Sequence, residues 1–155
     1  MSKYAIMGCG YHGRGVASVL MSICEDSEIV FVDDNAQPNE KIMGFDVVKD
    51  IPQDASLFAA GSGDNRLRRK LAAGRKMETI IAKDATIGYM AKIGEGSFLG
   101  AGSFVGSEVL LHEGVIVNTH AIVEHNSEIG GYCNIAPGAI ILGQCILGEN
   151  VFVGA

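Results

Sequence analysis

The 155-residue chain has no tryptophan, and aromatic residues make up only 6% of it. A core built around large rings is therefore excluded. With 48% hydrophobic residues and 21 glycines, the interior must be Ile, Val, Leu and Ala interrupted by many turns. No run of 18 apolar residues exists, which argues against a transmembrane helix. Gly8 and Gly10 interrupt the first ten residues, so no signal peptide is expected there and a cytoplasmic protein is. Positive charge is scarce. The net charge of −6 argues against a general nucleic-acid surface. The four cysteines, Cys9, Cys24, Cys133 and Cys145, show no CxxC spacing, so neither a zinc knuckle nor a redox pair is indicated.

What is present is a period. Every sixth residue from Ile81 to Val153 is Ile, Leu or Val, thirteen in succession. With about a third of positions aliphatic, such a row arises by chance roughly once in a million. Four places after each stands a small or slim residue: Ala85, Ala91, Ser97, Ser103, Val109, Val115, Ala121, Ser127, Cys133, Ala139, Cys145, Val151. A period of six is neither helical nor that of a simple strand. It indicates a solenoid of stacked parallel coils with strands about 4.8 Å apart. The aliphatic residue points inward from a flat side and the small one inward near a corner. Cys133 and Cys145 fall in the small row and read as reduced core residues. Glycines just after the aliphatic position, such as Gly88, Gly94, Gly106 and Gly130, are expected to serve turns with positive φ.

Residues 1–77 have another texture and read as a separate α/β domain, with 78–155 as the solenoid. Strands are expected at Tyr4–Met7, Glu28–Val32, Phe45–Val48 and Ser56–Ala60. Helices are expected at Val16–Cys24 and Arg66–Ala73, the second capped by Asp64 or Asn65. This alternation implies a small parallel sheet. Gly8, Gly10 and Gly13 form GxGxxG between a strand and a helix, and Asp33 ends the next strand. That arrangement admits a pyrophosphate to a helix N-terminus and offers an acid to a ribose hydroxyl. About 75 residues supply only one half of a dinucleotide fold, which suits a single nucleotide rather than NAD. The bland alternative is that the glycines only let helix and strand pack closely. The basic run Arg66, Arg68, Arg69, Lys70 reads as a solvated helix face, leaving Arg14 as the better phosphate ligand.

Polar residues that break the solenoid pattern include His112, Asn118, His120, Glu124, His125, Asn126 and Asn134. His125 lies two places after Val123, facing outward or into a corner. An 18-residue coil puts Ser107 below it and Gly143 above. An imidazole there suits proton removal from an attacking amine or hydroxyl. A plain surface histidine is the other reading.

The two-part organisation, Asp33-Asp34, Gly63-Asp64-Asn65 and the segment Val123-Glu124-His125-Asn126-Ser127-Glu128-Ile129-Gly130 together resemble the sialic-acid O-acetyltransferase/UDP-amino-sugar N-acetyltransferase family. The resemblance covers the whole chain. It implies a Rossmann-like nucleotide-sugar-binding subdomain followed by a left-handed, triangular parallel β-helix of 18-residue coils. It implies acetyl transfer from acetyl-CoA, without a metal, to an amino or hydroxyl group of a sugar, most readily a UDP-linked 4-amino-sugar. His125 would be the general base, with Glu124 and Asn126 positioning it or the acceptor. Gly8, Gly10, His12, Gly13, Arg14, Asp33, Asp34, Gly63, Asp64 and Asn65 would hold the UDP-sugar. Asn134 and Gly143 would meet acetyl-CoA between neighbouring subunits of a homotrimer, with Gly143 N–H stabilising the oxyanion. Val109, Leu110 and Ile116 are expected to supply outward apolar contact for that trimer. Asn126 replaces the family's common acidic residue, Asn134 a frequent second histidine, and Tyr11 the first glycine of a Gly-His-Gly loop. The stop at Val153-Gly154-Ala155 is mid-hexad, so either further coils are missing or the chain is unusually short for the family.

Rival readings are an O-acetyltransferase of sialic-acid type, a non-catalytic nucleotide-sugar-binding module, and a zinc enzyme similar to the hexapeptide-repeat carbonic anhydrases. The zinc reading pairs His120 with His125. Its third ligand, two coils before His120, would fall on Asp84, with His112 off the column.

Overall fold

A computed structural model describes residues 2–155. The chain divides into two compact units, Met1–Glu78 and Thr79–Ala155.

The first unit carries strands β1 (Lys3–Met7), β2 (Glu28–Val32), β3 (Lys41–Ile42), β4 (Phe45–Val48) and β5 (Leu57–Ala60), with helices α1 (Tyr11–Ile23) and α2 (Asn65–Ala72). The sheet order is β3-β4-β2-β1-β5. β4, β2, β1 and β5 run parallel, and β3 joins β4 as an antiparallel edge. Ala5, Ile6, Val30, Phe31 and Ala59 are buried on the two faces of the sheet, and Val16, Ala17 and Leu20 form the buried apolar stripe of α1. The expected strands are present within a residue or so. α1 begins at Tyr11, five residues before Val16, because the glycines of its first turns lower helix propensity without preventing the helix. The edge strand β3 was not expected. Its turn uses Met43 and Gly44, both at positive φ (55° and 86°), and methionine is a poor signal for such a turn.

In the second unit thirteen two-residue strands build three parallel sheets. One face stacks Ile80–Ile81, Phe98–Leu99, Ile116–Val117, Asn134–Ile135 and Phe152–Val153. A second stacks Thr86–Ile87, Phe104–Val105, Ile122–Val123 and Ile140–Ile141. The third stacks Lys92–Ile93, Leu110–Leu111, Glu128–Ile129 and Ile146–Leu147. Each register joins residue n to n+18. The aliphatic row is the core: Leu99, Val105, Leu111, Val117, Val123, Ile129 and Ile135 are essentially without exposure. Each such burial stabilises by about 1.5–3 kcal/mol.

The small row does more than avoid crowding. Ser97 Oγ donates to His112 O (3.3 Å) and accepts from Val115 N–H (3.2 Å). Ser127 Oγ repeats this with Leu142 O (3.0 Å) and Cys145 N–H (3.1 Å). Cys133 Sγ donates to Gly148 O at 2.9 Å. These groups satisfy corner backbone that the short strands leave over. All four cysteines are reduced thiols.

The turn glycines play a different part from the expected one. Positive φ occurs three places after the aliphatic residue, at Met90, Gly96, Gly102, Glu108, Gly114, His120, Asn126, Tyr132, Gly138, Gln144 and Asn150. Gly88, Gly94, Gly106 and Gly130 are not left-handed; they are glycine because coils touch there. A Cβ at Gly94 would lie 2.3 Å from His112 C, and one at Gly106 2.7 Å from His125 N. The expected outward apolar contacts are corrected as well. Val109 belongs to the core and Ile116 is buried, leaving only Leu110 half-exposed.

Candidate active site

In the first unit, β1 is flanked by β2 on one side and β5 on the other, so successive connections leave it in opposite directions. Such a switch point opens a crevice at the carboxyl ends of the strands. The loops after β1, β2 and β5 all end there. A cleft of about 180 Å³ is lined by Met7, Gly8, Val32, Asp33, Asp34, Asn35, Leu67 and Leu71. A larger hollow of about 440 Å³ includes Lys3, Glu28, Phe45 and Pro52. It lies toward the amino ends of β1 and β2, away from every motif residue.

Three glycines of the loop serve three purposes. Gly8 has φ +103°, which disfavours a side chain. Gly13 lies so close to the neighbouring loop that a Cβ would be 2.4 Å from Gly8 O and 3.1 Å from Gly61 O. Gly10 has open space around it and precedes α1, whose N-terminus has no side-chain cap and no acidic residue in its first turn. Close packing thus requires a glycine at Gly13, while Gly10 leaves uncapped N–H groups accessible to an anion. Gly61, which the sequence reading missed, is the partner surface: a Cβ there would lie 2.2 Å from Gly8 O. Only the stacking of two loops reveals it.

Asp33 ties these loops together. Its Oδ1 accepts from Asn35 N–H (3.0 Å), and its Oδ2 from Cys9 N–H (3.4 Å) and Cys9 S–H (3.2 Å). The Asn35 N–H, with help from Cys9, holds its carboxyl below the usual range. Burial, then the neighbouring carboxylate, pushes the Cys9 thiol up to about 11, so it stays protonated as a donor. Asp34 is exposed. Arg14 curls over the loop, its Nε donating to Cys9 O (3.3 Å) and its guanidinium 5.2 Å from the centre of the exposed Tyr11 ring.

Arg68 corrects the solvated-face reading. Its side chain is buried, with 1% exposure, and donates to Ser62 O (3.2 Å), Gly63 O (3.3 Å) and Asn65 Oδ1 (3.1 Å). It fixes the loop after β5. Asp64 caps α2, accepting Leu67 N–H at 2.7 Å. His12 lies near Gly63. Burial, then the charge of Arg68, lowers its pKa to about 4, so the ring is neutral at neutral pH.

In the second unit, His125 stands at the corner after Ile122–Val123. Its flanking backbone is pinned on both sides: Asn126 N–H donates to Ser107 O (3.0 Å), Gln144 N–H to His125 O (2.9 Å) and Glu124 N–H to Ile141 O (2.9 Å). The exposed imidazole leans against the next coil, so that a Cβ at Gly143 would lie 2.8 Å from Cε1 and Nε2. His125 Nδ1 is 3.1 Å from Asn126 Oδ1. Asn126 Nδ2 donates to Glu108 Oε2 at 2.8 Å. Glu108 was not among the expected residues. Glu124, half-buried, shares the corner. Asn134 is buried on another face, in register with Ile116 and Phe152. His120 packs over Gly102, and His112 Nε2 contacts Glu128 Oε1 at 2.8 Å. Among the described residues, no three of His, Cys, Asp and Glu gather as a metal-ligand set. No described helix is long and apolar enough to cross a membrane.

Residues 3–74 match the PglD N-terminal domain. The whole chain is similar to the acetyltransferase domain of PglB from Neisseria gonorrhoeae FA1090. The two are 31% identical with a TM-score of 0.80, over 100% of this chain and 89% of that one. The chain belongs to the hexapeptide-repeat acetyltransferases. The same PglB domain has been solved in complex with acetyl coenzyme A. Another acetyltransferase of similar structure is PerB from Caulobacter crescentus, solved in complex with CoA and GDP-perosamine. It is 25% identical with a TM-score of 0.83, over 100% of this chain and 87% of that one. A GDP-perosamine N-acetyltransferase of Escherichia coli O157:H7 is 24% identical over 170 residues, spanning 100% of this chain and 76% of the relative.

Proposed function

We propose that this acetyl-CoA-dependent sugar acetyltransferase acts on the amino group of a nucleotide-linked amino sugar. The observation that carries the proposal is the His125 ring seated against Gly143, with Nδ1 engaged by Asn126. The neutral amine attacks the thioester carbonyl carbon and gives its proton to His125 Nε2. The carbonyl oxygen becomes an oxyanion, for which Gly143 N–H is the proposed donor. Collapse breaks the C–S bond, and the departing sulfur takes the proton back from the imidazole. Asn126 orients His125, and Glu124 positions the acceptor. Asn134 contacts acetyl-CoA across a subunit boundary in a homotrimer.

The N-terminal unit is proposed as one Rossmann-like mononucleotide half. Its glycine loop (Gly8, Gly10, Gly13) and Arg14 receive the diphosphate at α1, with His12 neutral beside it. Asp33 and Asp34 face the ribose, and Gly63, Asp64 and Asn65 form the opposing loop. The nucleotide sugar is read as a UDP-linked 4-amino-sugar, in a cytoplasmic reaction of glycan biosynthesis. A GDP-linked amino sugar is the second reading, favoured by the ligand of the PerB structure. The test is a panel of UDP- and GDP-linked amino sugars and free sugars, each incubated with acetyl-CoA and followed by mass spectrometry. One added acetyl on a UDP-linked 4-amino-sugar, and none on its hydroxyl analogue, is expected. Acetylation of free hydroxylated sugars alone would refute the proposal.

A further inference from the structure

The residue after His125 is an amide, so no carboxylate follows the imidazole in sequence. One is joined to it in space through that amide. Glu108 and Asn126 occupy successive left-handed corners, at φ 59° and 57°, one 18-residue coil apart. Stacking brings their side chains together, with Asn126 Nδ2 2.8 Å from Glu108 Oε2. An ionised carboxylate only accepts hydrogen bonds. The amide must therefore turn its NH₂ toward Glu108 and its oxygen toward His125, which it reaches at 3.1 Å from Nδ1. An amide oxygen cannot donate. The ring must donate from Nδ1, which leaves the lone pair on Nε2.

We propose that Glu108 is a positioning residue that acts through Asn126 to hold His125 in its Nδ1–H tautomer, with Nε2 as the proton acceptor. The proposal rests on the reading of His125 as general base. No proton travels to Glu108, because the amide between them has none to relay. The carboxylate instead fixes the amide dipole, whose negative end faces the imidazolium that forms when Nε2 is protonated. Asn126 suits this place twice over. Asn tolerates the left-handed backbone that the corner requires. Aspartate would tolerate it too, but would set two carboxylates in contact. The acid is thus one coil below the amide.

The test is a long-range ¹H–¹⁵N correlation spectrum of histidine-labelled protein at mildly alkaline pH, with the His125 signal assigned by its loss in His125→Ala. In the parent protein His125 should show protonated Nδ1 and bare Nε2. Glu108→Ala frees the amide to rotate, and the ring should move toward the Nε2–H form that neutral imidazole favours in water. In the same variant kcat should fall about 10-fold with KM unchanged, a part of the 10²–10⁴-fold that a general base supplies. Glu108→Gln, whose amide oxygen still accepts from Asn126, should recover most of both. Asn126→Asp should lose activity on its own and regain it when combined with Glu108→Gln. An unchanged tautomer in Glu108→Ala would overturn the proposal, whatever the rate. If that variant does not fold, no recovery of Asn126→Asp by Glu108→Gln would overturn it equally. A tautomer change with no kinetic change would uphold the hydrogen-bond chain and remove His125 as base.

Discussion

Gly143→Ala separates catalysis from folding in this solenoid. The new Cβ would stand 2.8 Å from His125 Cε1 and Nε2 and 3.2 Å from Nδ1. The two 2.8 Å distances are shorter than carbon and nitrogen tolerate and the third is tight, so something must move. The backbone at Gly143 is not left-handed, and alanine fits its φ. The clashing atoms are the tip of an exposed side chain, which swings away at little cost to the fold. Swinging away carries Nε2 off its station and breaks its alignment with Asn126. A displacement of about 1 Å at a catalytic group costs about 10²-fold in rate. Steady-state kinetics should therefore show kcat reduced about 100-fold, with a melting temperature within a degree or two of the parent. Gly106→Ala is the control for the opposite outcome. There the Cβ would meet backbone, His125 N at 2.7 Å and Glu124 C at 3.0 Å, and backbone cannot swing aside. Overpacking of this kind costs about 1–3 kcal/mol. In a chain of this length that lowers the melting temperature by about 2–12 °C. Full activity in Gly143→Ala would refute the reasoning, as would a melting temperature as depressed as that of Gly106→Ala.

Stability should fall in mild acid because of His12. Its folded pKa, about 4, lies below the ordinary 6.5. Above pH 6.5 the ring is neutral folded or unfolded and contributes no slope. Between 6.5 and 4 the unfolded chain binds the proton first, and stability drops by about 3 kcal/mol in total. Denaturant unfolding of His12→Asn should lack this slope, and an unaltered slope would contradict it. Asp64→Ala should cost about 1 kcal/mol and raise hydrogen exchange in α2 first, since it removes the cap on Leu67 N–H. Light scattering should give three copies per particle at micromolar concentration, and a persistent monomer would count against the subunit-boundary acetyl-CoA site.

The solenoid was legible because one chemical class repeats at one spacing. Each of the thirteen aliphatics is the second residue of a two-residue strand. The left-handed corners were not legible, since Met90, Glu108, His120, Tyr132 and Gln144 share no property beyond their backbone. That is why the turn role was assigned to the wrong glycines. His125 could be found from its break in the pattern, and Gly143 by counting 18. Glu108 could not, because a surface glutamate gives no signal until its hydrogen bond to Asn126 is seen. Arg68 was misread for a related reason. It stands in a basic run with Arg66, Arg69 and Lys70, and only the fold of the loop after β5 around the guanidinium buries it.

The most direct test of the central claim is the rate of acetyl transfer in His125→Ala beside His120→Ala, on whichever amino sugar the panel identifies. His125 lies outside both inward rows, so its loss should leave the melting temperature nearly unchanged. The account predicts a fall of about 10²–10⁴-fold for His125→Ala and little change for His120→Ala, whose ring packs over Gly102 at a different corner position. Acetyl transfer at the parental rate in folded His125→Ala would contradict it.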